Sequence, residues 1–178
     1  MFVSQKVSKV IVLACFIFIT SCSHNASTSE MAVEETLTAE KNMVGIISKN
    51  DLLSHEALFK KGYESFVVSE EDKLQVSDWP SNLHIDIYFG TWCHDSEREV
   101  PKLLSILDNN VDVNFKLIAL DLNKGDPQKL ALRNSINYTP TFVVFLGDKE
   151  IGRIIERPID SLVTDITKLY INSVKIND

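Results

Sequence analysis

The sequence predicts an α/β fold, a central mixed β-sheet with helices on both faces. Three observations carry that reading. Residues 84–89, 113–120 and 142–146 are short apolar runs of the length and composition of buried strands. Helical periodicity separates them. After the third run, Gly147-Asp148 turns the chain into a hairpin over 150–156, and a last amphipathic stretch follows. Strands alternating with helices, then closing on a hairpin, give a layered sheet rather than a bundle or a barrel.

The elements follow in order. Leu52, Leu53, Leu58 and Phe59 recur at helical spacing, so a helix is expected over 50–61. Asn50 or Asp51 is its candidate cap and Gly62 its expected end. The patch Phe66-Val67-Val68 fits either a strand or a helix. Pro80 and Ser81-Asn82 close this section, and the strand at 84–89 begins. Val100, Leu103, Leu104 and Leu107 then mark a helix with one buried face. Pro101 lies inside that pattern, where a kink or irregular turn is expected. Asn109-Asn110 ends it. After the second strand comes a polar loop over 121–126, then a short helix over 127–136 with Pro127 in its first turn. The last helix, 161–174, places Leu162, Val163, Ile166, Leu169 and Tyr170 on its inner face. No internal repeat is present.

The chain has 178 residues, enough for one domain with a sizeable core and appendages. Its composition is globular, with 44% hydrophobic and 24% charged residues. A formal charge of −7 gives no basic face for nucleic acid.

Residues 1–21 read as an export signal. Lys6 and Lys9 form a positive start, and an apolar run over 10–19 follows that is too short to span a bilayer. Ile19-Thr20-Ser21-Cys22 resembles the bacterial lipobox. That resemblance implies lipidation of Cys22, which becomes the mature N-terminus. The chain is then a lipoprotein of the bacterial cell envelope facing the periplasm, and Ser23 in place of aspartate favours the outer membrane. An ordinary cleaved signal with an incidental Cys22 is the alternative. Residues 22–49 read as a flexible tether rich in Ser, Thr, Glu and Ala, leaving 50–178 as the folded domain.

Cys15, Cys22 and Cys93 are the three cysteines. The first leaves with the signal and lipid blocks the second. Cys93 remains as the free thiol of an exported chain, and no internal disulfide can form. It stands where a strand runs into a helix, at the end where backbone N–H groups and the helix dipole favour negative charge.

Trp92-Cys93-His94-Asp95-Ser96 resembles the W-C-x-x-C motif of the thioredoxin family, with Ser96 replacing the second cysteine. Pro101, eight residues after Cys93, stands where thioredoxins carry a proline inside the helix. Thr139-Pro140, before the third strand, resembles the family's cis-proline that faces the active cysteine. The similarity covers about 84–172 and implies a thioredoxin-like three-layer sandwich. It also assigns Trp92, His94, Thr139 and Pro140 to a substrate groove. The family keeps a buried acid six residues before the active cysteine. Here that residue is Ile87, and Asp86 would face the other way on an alternating strand.

A dithiol reductase resolves its mixed disulfide with the second thiol, which Ser96 cannot do. Ser96 is expected instead to donate a hydrogen bond to the Cys93 thiolate. His94 and Asp95 would act on that thiolate in opposite senses, His94 when protonated favouring it. The expected function is thiol-disulfide exchange by a membrane-anchored monothiol protein, an oxidoreductase or isomerase needing no cofactor. Its partners would be protein thiols or disulfides, or a low-molecular-weight thiol. The rival from another class is a redox-inactive module that holds a partner near Trp92 and Pro140. A peroxidatic cysteine lacks the Thr and Arg setting that chemistry needs. Cys93 and His94 make no metal site without spaced partners, and Glu97 and Glu99 are expected to be solvated. No Gly-rich phosphate loop, G-x-S-x-G or H-E-x-x-H occurs.

Overall fold

The computed structural model describes residues 42–177. The signal, Cys22 and most of the expected tether lie outside the described residues.

Among the described residues five strands form one mixed sheet: β1 (Gly45–Ile47), β2 (Leu83–Phe89), β3 (Asn114–Ala119), β4 (Thr141–Leu146) and β5 (Lys149–Ile155). Their order is β1-β3-β2-β4-β5. Only β2 and β3 pair in parallel, with Ile87 opposite Leu117; the other three pairings are antiparallel. The helices are α1 (Lys49–His55), α2 (Ala57–Ser65), α3 (Glu70–Ser77), α4 (His94–Leu107), α5 (Leu130–Arg133) and α6 (Leu162–Asn177).

Five expectations need correction. The domain starts before residue 50: Gly45–Ile47 pairs with β3, so the end of the expected tether is an edge strand. The expected helix over 50–61 is two helices. Glu56 takes extended dihedrals and serves as both C-cap of α1 and N-cap of α2. The cap of α1 is Ser48, whose Oγ accepts the Asp51 N–H at 3.0 Å, and not Asn50 or Asp51. Gly62 ends nothing; α2 runs on to Ser65. Its glycine permits close approach, because a Cβ there would stand 3.1 Å from Cβ of Pro101 on α4. Lastly, the helix expected over 127–136 is one turn. Lys129 takes a left-handed φ of 56°, and the Asp126 carboxylate accepts the N–H groups of Leu130 and Ala131 at 3.0 and 2.8 Å.

Phe66-Val67-Val68 is neither strand nor helix but an extended link in which Val68 is buried and Val67 exposed. It leads into α3, which the periodicity does not announce: α3 is polar, buries Val76 alone and is capped by Ser69. Pro101 lies inside α4 without ending it.

Alternation along β2 decides how the sheet is covered. Leu83, Ile85, Ile87 and Phe89 face one side, where residues of α1, α2, α3, α4 and α6 complete the main core. Tyr88 faces the other side, in a small cluster with Ile118, Leu120, Ala131, Ile136 and Val143. There the Asn134 amide donates to the Tyr88 hydroxyl at 2.8 Å, and Lys116 donates to Asp86 at 3.3 Å. Burial, reinforced by the charges of Asp86 and Asp126, pushes the Tyr88 phenol up to about 12.

Candidate functional site

The site forms where β2 meets α4. Cys93 is the N-cap of α4, in extended conformation; its N–H donates to the Gly90 carbonyl at 3.1 Å and its carbonyl accepts from Glu97 at 3.0 Å. The half-buried thiol donates to the Thr139 carbonyl at 3.1 Å. Thr139 is buried, and the Thr139-Pro140 peptide is cis. Cys93, Thr139 and Pro140 are thus brought together. The backbone carbonyl is the partner that the sequence did not name.

The Trp92 ring is anchored away from Thr139 and Pro140. Its indole N–H donates to the Leu120 carbonyl at 3.0 Å, and Leu120 in turn donates its N–H to the Phe89 carbonyl at 2.7 Å. The ring lies so close over Gly90 that a Cβ there would stand 2.5 Å from Cε2. Glycine is required at that position, and the tryptophan is held at the edge of a cleft of about 660 Å³ lined by Met43, Ile46, His55 and Thr91.

Ser96 departs from expectation. It is fully buried, and its Oγ accepts the Gly90 N–H at 3.3 Å. No hydrogen bond joins it to Cys93 among the described residues. The serine braces the strand-to-helix turn, because Gly90 lies just past the last residue of β2 and needs an acceptor for a buried N–H. His94 also stands apart. Its side chain is 98% exposed and its Nδ1 lies 3.4 Å from the Glu97 carboxylate, so it faces solvent.

The charges along α4 are arranged in pairs. Arg98 reaches Asp95 at 2.6 Å and Glu99 at 2.6 Å, and Lys102 reaches Glu99 at 3.2 Å. Glu99 is therefore buried and neutralised by its neighbours, which corrects the solvated reading. Its hydrogen bond to Arg98, with that of Asp95, raises the guanidinium further above its ordinary value. Asp95 shares its charge with Arg98, so the like-charge repulsion expected toward Cys93 is partly offset. Ile87 is fully buried in the main core, while Asp86 lies on the opposite face. Among the described residues no three His, Cys, Asp or Glu side chains cluster as a metal site would require. No helix of the described residues is long and apolar enough to cross a membrane.

Chemically, this is one nucleophile with a backbone acceptor beside it and no second thiol in the described residues.

A family model described as Thioredoxin matches residues 47–166. No curated protein matches the chain at a significant level. Among solved structures, a protein of unknown function from Pseudomonas aeruginosa is similar at 12% identity and a TM-score of 0.58, over 73% of this chain and 94% of that one. An HIV epitope-scaffold is similar at 12% identity and a TM-score of 0.57, over 72% and 94%. Thioredoxin f2 of Chlamydomonas reinhardtii is 19% identical with a TM-score of 0.41, over 52% and 83%. For the first two of these, the likeness is one of fold.

Proposed function

The chain belongs to the thioredoxin family, and from that premise we propose that it is a monothiol disulfide-exchange protein acting through Cys93. The observation that carries this reading is the half-buried thiol at the N-terminus of α4, held 3.1 Å from the Thr139 carbonyl beside cis-Pro140. The thiolate of Cys93 attacks one sulfur of a client disulfide. A Cys93–client disulfide forms, the client's other sulfur leaves as a thiolate, and that thiolate takes a proton from water. A second thiol must then attack this mixed disulfide and restore Cys93. When that thiol belongs to the same client, the cycle is an isomerisation with no net redox change. When it is a separate small thiol, it attacks the client sulfur and Cys93 leaves as the thiolate. A second small thiol then attacks the resulting client–small-thiol disulfide, so the client ends with two free thiols and the two small thiols end as their own disulfide.

Ser96 takes no part in either transfer; it fixes the turn that presents Cys93. We further propose, from the lipobox at Cys22, that the protein works tethered to the bacterial cell envelope, facing the periplasm. Acylation at Cys22, read by mass spectrometry of protein from the native membrane, tests the tether alone. Exchange is tested by mixing purified reduced protein with a scrambled disulfide protein and a small thiol. Recovery of the client's activity should depend on Cys93. Equal recovery with Cys93→Ala overturns the proposal and leaves the groove as a binding site without redox chemistry.

A further inference from the structure

A recess of about 410 Å³ opens at the Cys93 end of the sheet, between the end of β5, loop 156–161 and α6. Backbone connects it to the thiol. Thr139 accepts from Cys93; the next carbonyl, that of Pro140, accepts the Glu156 N–H at 2.7 Å; and Thr141 pairs with Ile155, which lines the recess. The recess thus begins roughly 10–15 Å from the sulfur, the reach of three or four extended residues.

Its floor is apolar and its shape is fixed. Ile155, Ile159 and Leu169 line it, with Ile159 95% exposed. Lone surface isoleucines need no explanation, but these converge on one concavity. The loop that presents Ile159 is pinned: the Asp165 carboxylate accepts the N–H groups of Ile159 and Asp160, at 2.6 and 3.4 Å. Glu156, where the loop leaves β5, holds a left-handed φ of 63°, uncommon for a residue other than glycine and asparagine. The acids on the rim are engaged, Asp165 by those N–H groups and Asp160 by Lys168. Arg153 is shared with Glu150 and the Asn134 carbonyl. The Arg157 guanidinium has no side-chain partner among the described residues.

We infer that this recess is a second recognition site of the thiol groove. It takes an aliphatic side chain of a client polypeptide three or four residues from its disulfide cysteine, with a neighbouring carboxylate on Arg157. Glutathione has no apolar side chain to fill it, so the substrate class is a polypeptide rather than a small thiol. This rests on the exchange reading above.

The test uses two synthetic peptides, each with one cysteine activated as a thionitrobenzoate disulfide. One carries leucine and glutamate at the third and fourth positions on both flanks; the other carries glycine and glutamine there. Cys93 forms the peptide disulfide and coloured thionitrobenzoate leaves as the thiolate. The expected preference for the leucine peptide is roughly tenfold, the worth of partly burying one leucine. It should fall below about twofold in Ile159→Asp and drop severalfold in Arg157→Gln, while activated glutathione reacts equally with all three proteins. Equal rates for the two peptides, or a preference that survives Ile159→Asp, overturns the inference. If no activated disulfide reacts, glutathione included, the exchange reading fails instead. Fluorescence anisotropy of the serine versions of the peptides on Cys93→Ala protein then decides the recess. A leucine preference lost in Ile159→Asp sustains it, and equal affinities overturn it.

Discussion

Cys93 and Ser96 sit three residues apart at the start of one helix, yet their surroundings differ in every respect. The thiol is half-exposed and points its single hydrogen bond at the carbonyl before cis-Pro140. The hydroxyl is fully buried and holds the N–H of Gly90. A position that carries chemistry in a dithiol protein is here part of the scaffold. The lesson is that replacing the second cysteine does more than remove a resolving thiol, because the serine supplies a brace under the turn that displays the first.

The largest way to break the contrast is to remove the exposed partner. Cys93→Ser should abolish covalent capture of disulfide substrates, while stability in denaturant titration moves by no more than about 1 kcal/mol, as for a partly exposed residue with one weak bond. Next, Ser96→Cys should restore a resolving thiol. Mixed disulfides that persist in the parent protein should then collapse within the assay as the new thiol attacks them, visible as loss of the adduct on non-reducing gels. Ser96→Ala sharpens the structural half. It leaves the buried Gly90 N–H without an acceptor and should cost about 1–3 kcal/mol of unfolding free energy, with Cys93 still able to form adducts. The smallest effect is at His94. Its side chain is solvated and, among the described residues, contacts only Glu97, so His94→Ala should change stability by less than about 0.5 kcal/mol. Its capture rate, followed by the same adduct assay, should stay close to that of the parent.

How far the sequence could be read follows the same division between local and distant causes. The strands β2 to β5 and the helices α4 and α6 were legible because each carries its own periodicity. The edge strand β1 is three residues long, too short for alternation to register, and α3 lacks an apolar stripe because it buries Val76 alone. At the site, Trp92, Cys93 and the Thr139-Pro140 pair were legible as a motif. Which atom Ser96 would hold was not, since the Gly90 N–H comes into reach only when the turn after β2 closes. The burial of Glu99 escaped for a related reason. Arg98 and Lys102 fold over it from its own helix, and the apolar pattern that marks the buried face runs beside it through Val100 and Leu103.

Under the proposed exchange reading, the lack of a second thiol among the described residues makes the protein its own trap. Cells expressing the full chain would be quenched in acid, free thiols alkylated, and the protein compared with Cys93→Ala on non-reducing gels. The exchange account predicts adducts that require Cys93, collapse on reduction, and contain client polypeptides by mass spectrometry. A Cys93 that stays free of adducts, in a purified protein that alkylates no faster than an ordinary exposed thiol at neutral pH, would contradict it.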